Sequence, residues 1–233
     1  MKAFMCVMLL VINQVISLPT DNHNDNFVTA RNLNDQLKNY LENDLREMMR
    51  NKEPILDPYK SDEQIVEYDD EKLSFNGKFN DFIVEQLSYY VVKRSNVNIF
   101  LKKVDIEFHF PTIISDGLYD IQARYQNIPL KGNGHFNVTV KDFTLSVEAR
   151  IKILGTIQLK SLKLKIGVGS IEFASTNQQF DNEKESKEWN EKISKLLETI
   201  IVDDSITGDL AAGIMAGVNE WLQNDLLKIS QHE

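Results

Sequence analysis

From Ile206 to Ile229 the chain carries Leu210, Ala211, Ala212, Gly213, Ile214, Met215, Ala216, Gly217, Val218, Trp221, Leu222, Leu226 and Leu227. At 3.6 residues per turn these fall on almost every side of a helix. A helix apolar all round must be buried on several sides. Stable membrane insertion is excluded, because Asp209, Asn219, Glu220 and Asp225 leave a run far shorter than the ~20 apolar residues a bilayer needs. The segment from Glu188 to Ile229 therefore predicts a long C-terminal helix that something else must wrap.

The wrapper has to be the middle of the chain, where the period changes to two between Gln64 and Ile171. Val104, Ile106, Phe108 and Phe110 alternate with Asp105, Glu107 and His109. Tyr119, Ile121, Ala123 and Tyr125 alternate with Asp120, Gln122 and Arg124, and Phe143 to Ile153 alternates in the same way. Half-buried strands of this kind build an antiparallel sheet with one wet face. Asn76-Gly77 and Asn133-Gly134 have hairpin-turn chemistry, and Gly155 marks a third turn. The alternation slips phase at Lys141-Asp142 and at Lys160-Ser161, the trace of a bulge or bend. The expectation is an α+β fold: a long C-terminal helix wrapped by a strongly curved antiparallel β-sheet, with an N-terminal amphipathic helix. That last helix is read from Leu33, Leu37, Leu41, Leu45, Met48 and Met49, and Pro54 and Pro58 close it.

Residues 1–17 have the pattern of a signal peptide: Lys2, an apolar run from Ala3 to Ile12, then Val15-Ile16-Ser17 as the cleavage site. Residues 18–26 are expected to be a polar, flexible tail, and 27–233 a single domain. Cleavage would remove the sole cysteine, Cys6, so the expected secreted chain has neither disulfides nor thiolate chemistry. A formal charge of -9 gives no electrostatic footprint for nucleic acid.

Chemistry-bearing patterns are sparse. His23, His109, His135 and His232 do not share metal-ligand spacing, and neither HExxH nor GxSxG occurs. Gly167-Val-Gly169 lacks the third glycine of a dinucleotide loop. The sequence therefore predicts no catalytic residues, no metal, no cofactor and no enzyme. Asn137-Val-Thr139 is a glycosylation sequon whose asparagine alternates outward from Phe136 and Val138. Lys152, Lys160, Lys163 and Lys165 form a basic stretch, either the wet face of a strand or a docking patch. Ala211, Ala212, Gly213, Ala216 and Gly217 either pack the helix close to the sheet or leave room for an apolar guest.

The run Gly117-Leu-Tyr119-Asp-Ile121-Gln-Ala-Arg-Tyr-Gln-Asn-Ile-Pro129-Leu130-Lys-Gly132-Asn-Gly134-His-Phe136 resembles the signature of the insect haemolymph juvenile-hormone-binding and takeout family. Asp57-Pro58, Asn80 to Ser88, Phe110-Pro111 and Gly169 to Phe173 follow in that family's order. The resemblance implies a helix wrapped by a curved sheet, related to one half of the bactericidal/permeability-increasing type of lipid-binding protein. It also implies a secreted, extracellular carrier of small apolar ligands, terpenoid or fatty-acid-like. Two departures stand out: the N-terminal cysteine pair usual in the family is absent, and Gln86 stands where a glycine usually precedes Leu-Ser. The group 7 mite allergens are a second type with similar architecture, and they fit a cysteine-free chain. The expected ligand-binding residues are Tyr119, Tyr125, Phe136 and Phe143 on the strands, facing Ile214, Val218 and Trp221 on the helix. The alternatives are recognition of a larger amphiphile such as a microbial lipid, or a protein-docking role without a ligand.

Overall fold

The computed structural model describes residues 26–98, 100–126, 128–152, 158–177 and 182–229. The signal segment and Gly155 lie outside these. The chain begins with α1 (Asn26–Asn39), a π-helical turn (Tyr40–Asp44) and α2 (Leu45–Asn51). Leu33, Leu37, Leu41, Leu45 and Met49 are all buried. Spacing of four residues drifts by about 40° per step on a regular α-helix. The π turn, closed by Leu45 N–H donating to Tyr40 O, adds a residue to one turn and returns the stripe to a single face.

Seven strands follow: β1 (Tyr59–Asp69), β2 (Leu73–Glu85), β3 (Val91–Asn98), β4 (Lys103–Tyr125), β5 (Ile128–Lys152), β6 (Gln158–Gly167) and β7 (Ser170–Asn177). They form one antiparallel sheet around the long β4–β5 hairpin, whose register is unbroken from Lys103↔Arg150 to Tyr125↔Ile128. Each long strand changes neighbour halfway. The first half of β4 pairs with β3 and the second with β2. The first half of β5 pairs with β7 and the second with β6.

The change of neighbours falls at the first expected phase slip. Asp142 has φ +52, and the buried positions on β5 switch from even numbers (Phe136) to odd ones (Leu145, Val147, Ala149). On β4 the switch runs from Val104, Ile106 and Phe108 to Tyr119 and Tyr125. At the second slip, Ser161 pairs with Arg150 and Leu159 with Ile151, so Lys160 is the bulged residue.

The two asparagine-glycine pairs are not turns. Asn76-Gly77 lies inside β2, flanked by β1 and β4, and Asn133-Gly134 lies inside β5. Close approach explains the glycines instead. A Cβ on Gly77 would sit 2.6 Å from the Phe75 ring, and one on Gly134 (φ +149) would sit 2.0 Å from the Thr176 carbonyl oxygen. The β1–β2 turn is made by Asp70, whose carboxylate accepts from Lys72 N and Leu73 N, both at 2.6 Å.

The helical C-terminal end is two helices, α3 (Glu183–Ile201) and α4 (Asp204–Ile229). Asp203 starts the second by accepting from Ser205 N at 2.9 Å and Ser205 Oγ at 2.6 Å. On α4, Thr207, Ala211, Ile214, Val218 and Leu222 are buried, whereas Gly208, Ala212, Gly213 and Ala216 are exposed. The helix therefore buries one stripe and is not enclosed on several sides as its composition suggested. The reason is area: glycine and alanine expose so little apolar surface that leaving them wet costs little.

Helix side chains also close the sheet's edges. Asn219 on α4 accepts from Leu159 N at 2.7 Å and donates to Leu159 O at 3.1 Å on β6. On α3, Glu198 and Ser194 accept from Ile171 N and Phe173 N of β7, each at 2.9 Å. On α1, Asn34 accepts from Val97 N of β3 at 2.6 Å. Unpaired edge groups are thereby satisfied and shielded. The main core joins α1, α2 and α4 to β3, β6 and the adjoining halves of β4 and β5. At the other end Phe79, Phe82, Phe136, Tyr119 and Phe173 stack into an aromatic lobe.

Candidate functional site

A cleft of about 390 Å³ runs between β6 and the first three turns of α4. Leu162, Leu164, Ala211 and Met215 form its apolar lining, and Lys160, Ser161, Lys163, Asp204 and Thr207 supply its polar groups. Its room comes from the helix: Gly208 and Ala212 both line it, and a Cβ built on Gly208 would meet nothing within 4 Å. The bulge at Lys160 shapes the opposite wall, since an extra residue there bends β6. This volume falls within the range of small-molecule sites.

Charge on the rim is predominantly positive. Lys160 and Lys163 are exposed, and no salt bridge ties them among the described residues. Glu148, whose carboxyl is held below its ordinary value chiefly by its hydrogen bond to Lys103, also feels Lys163. The far end of the helix start is fixed to the β1–β2 hairpin: Lys72 Nζ lies 3.1 Å from Asp203 Oδ2, and Tyr68 Oη donates to Asp209 Oδ2 at 2.7 Å.

The expected ligand-binding residues do not converge on this cleft. Tyr119 and Phe136 lie together in the aromatic lobe, with ring centroids 6.0 Å apart. Tyr125 is buried at the end of β4, next to the β4–β5 turn. Phe143 packs on the main core and against Phe110, with centroids 5.7 Å apart. Ile214 and Val218 are fully buried in the same core. The side chain of Trp221 lies outside the described residues.

Tyr119 is nevertheless distinctive. Its hydroxyl is buried, and no contact among the described residues meets full hydrogen-bond geometry, Ser175 being the one weak partner. Burial raises its phenol above the ordinary tyrosine range, and the weak side-chain hydrogen bond with Ser175 lowers it by less. Ser175 itself donates to Asn190 Oδ1 at 2.9 Å. A buried, weakly held phenol amid aromatic rings can orient one polar group of an apolar guest.

Lys160 and Lys163 belong to the basic stretch of the sequence, and Ala211 and Ala212 to its small residues, but no compact motif links β6 to the first turns of α4. Two signals were available: the phase slip at Lys160-Ser161 and the cluster of small residues from Gly208 to Gly213. Asn137 sits on a polar row, its Nδ2 donating to Asp116 Oδ2 at 3.3 Å, beside His135 at 3.1 Å from Asp116 Oδ1. Among the described residues, no cluster of three or more His, Cys, Asp or Glu could hold a metal ion.

Fold and cleft together define an α+β protein with a large open antiparallel sheet and an apolar cleft under its last helix. The sequence pattern of the haemolymph juvenile hormone binding protein (JHBP) family matches residues 4–205, and the chain belongs to that family. Among solved structures, the chain is similar to Takeout 1 of Epiphyas postvittana. The identity is 16% and the TM-score 0.46, covering 70% of this chain and 76% of that one. It is also similar to a lipopolysaccharide binding protein at 10% identity and TM-score 0.38, covering 83% of this chain and 39% of that one. No curated protein matches it.

Two backbone positions in this part of the sheet are tightly constrained. Gly117 (φ +156) faces a bulge in β2, and a Cβ there would meet the Asn80 backbone oxygen at 3.0 Å. Gln86 has φ +70, the left-handed conformation that glycine adopts without strain.

Proposed function

We propose that this protein is a secreted, non-enzymatic carrier that holds a small, mostly apolar ligand between β6 and α4. The observation that carries the reading is the cleft of about 390 Å³, with an apolar lining made roomy by Gly208 and Ala212. Membership of a family described by the binding of juvenile hormone supports an apolar, terpenoid or fatty-acid-like ligand. The cleft is an open groove, and each patch of about 100 Å² of apolar ligand surface that it covers contributes roughly 2.5 kcal/mol gross at ~25 cal/mol per Å², before the cost of immobilisation. Secretion is supported by the signal pattern over residues 1–17. Among the described residues, no helix is long and apolar enough to cross a membrane.

A second reading puts the guest in the aromatic lobe, favoured by the buried and weakly partnered Tyr119 hydroxyl. In the secretory pathway Asn137 would carry a glycan, on the polar row it shares with Asp116 and His135. The test of function is native mass spectrometry of protein from its own secretions, followed by displacement assays with labelled terpenoids and fatty acids. A co-purifying apolar ligand and saturable displacement are expected. Protein that arrives empty and shows no saturable displacement ends the carrier reading, and a bound acylated glycolipid transfers the reading to larger amphiphiles.

A further inference from the structure

Among the described residues the two most exposed large apolar side chains are consecutive: Phe100 at 77% and Leu101 at 64% exposure. Singly exposed apolar residues need no account, but an adjacent pair at one tip does. Tyr89 is a useful contrast, because the Arg50 guanidinium lies 4.5 Å above its ring and gives it a partner. Phe100 and Leu101 sit at the turn of the β3–β4 hairpin, and this turn is braced. Asn98 Oδ1 accepts from Leu101 N at 2.9 Å, and Lys102 O accepts from Ile151 N at 2.9 Å.

The surroundings of the tip are cationic in a chain of formal charge -9. Lys102 follows the apolar pair, and Arg150 and Lys152 flank Ile151 on the strand tied to it; all three are exposed. Two acids on the adjoining strands are engaged: Lys103 lies 3.2 Å from Asp105 and 2.9 Å from Glu148. Apolar side chains at the apex with cations behind them match a lipid interface, acyl boundary first and anionic headgroups next.

We propose that the Phe100–Leu101 tip docks this protein reversibly on an anionic phospholipid surface. The tip lies close to the cleft in the sheet: Ile151 pairs with Leu159, and the next residue, Lys160, lines the cleft. Docking would therefore bring the cleft near the lipid, where an apolar ligand is most concentrated. The inference does not rest on the carrier reading, since the tip can dock whether or not the cleft is filled.

The test is co-sedimentation of the purified protein with phosphatidylcholine vesicles and with vesicles containing about 30% phosphatidylserine. Binding to the anionic vesicles is expected, weakening as salt is raised. The double variant Phe100→Ser/Leu101→Ser should lose about 10-fold or more of that binding, because it removes the inserted apolar area. It should keep its circular dichroism and melting temperature, since both side chains are exposed. Arg150→Glu/Lys152→Glu should lose preference for the anionic vesicles with the apolar pair intact. Absence of binding to either vesicle, or equal binding by wild type and Phe100→Ser/Leu101→Ser, overturns the proposal. So does concentration-dependent dimerisation abolished by the same pair of substitutions, which would assign the tip to a second copy of the chain.

Discussion

Asp57 and Ser88, 31 residues apart in sequence, form a buried polar clasp between the end of the N-terminal helices and the start of β3. The Asp57 carboxylate accepts from Gln86 N at 2.9 Å, from Ser88 N at 2.8 Å and from the Ser88 hydroxyl. Arg50 Nε donates to Ser88 Oγ at 2.7 Å and links the clasp to α2. Asp57→Ala would leave the buried Ser88 N–H, the part-buried Gln86 N–H and a hydroxyl without their acceptor, at a cost on the order of 3 kcal/mol. Ser88→Ala should cost less, and the double variant should fall short of the sum by about 1 kcal/mol, because both remove one network. Urea denaturation of the four proteins measures this, and strict additivity would deny the clasp.

Gln86, in the same loop, holds φ +70 with its N–H already committed to Asp57. A non-glycine residue in the left-handed region costs about 1–2 kcal/mol, and glycine's extra unfolded-state freedom returns about 0.5–1 of it. Gln86→Gly should therefore stabilise the protein by roughly 0.5–1 kcal/mol, a rise in Tm of about 1–4 °C. A fall in Tm would mean that the glutamine side chain makes a contact worth more than its strain.

Motif residues of the chain were legible as types before their partners were known. Asp57 and Ser88 could be quoted from the sequence, but nothing in a linear pattern says that a carboxylate will cap a loop 31 residues away. Gly134 was visible too, and its asparagine neighbour suggested a turn. Its real constraint is the Thr176 carbonyl of β7, a non-local approach that no local pattern encodes. The bends at Asp142 and Lys160 were readable because a phase slip is local. The exposed face of α4 was not, because alanine and glycine satisfy a helix's composition without committing it to burial. Ala211 and Ala212 did suggest room for a guest beside the helix, but not that it lies against β6, and the aromatic strands drew attention to the lobe around Tyr119.

Asp203 makes stability depend on pH at the start of α4. Its carboxyl is lowered from an ordinary value of 3.8 to about 2, first by the Ser205 hydroxyl, then by the Ser205 N–H and Lys72. A depressed folded-state value means that the contribution is fully present above pH ~4 and disappears as pH falls toward ~2. Asp203→Asn keeps an acceptor for Ser205 but removes the charge facing Lys72. Denaturation at a series of pH values should show the wild type ahead of Asp203→Asn near neutrality, with the gap closing between pH ~4 and ~2. A gap that stays constant through that window would assign the difference to the cap alone.

Ala212 and Tyr119 separate the two places where a guest could sit. Ala212 lines the cleft from an exposed position on α4, so Ala212→Leu fills cleft volume without disturbing the buried stripe. Stability should change by no more than about 0.5 kcal/mol, while affinity for the displaced ligand falls about 10-fold or more. Tyr119→Phe keeps the ring that packs on Phe136 and Phe173 and deletes a buried hydroxyl whose one partner, Ser175, is held weakly. The empty protein should gain at most about 1 kcal/mol, since the desolvation cost of that hydroxyl disappears together with its weak contact. With the ligand in the cleft, Tyr119→Phe leaves affinity unchanged. A ligand in the aromatic lobe reverses the pattern: Ala212→Leu binds normally and Tyr119→Phe loses the polar contact that orients the guest. Titration of one labelled ligand against both variants, each checked by thermal melting, decides between them.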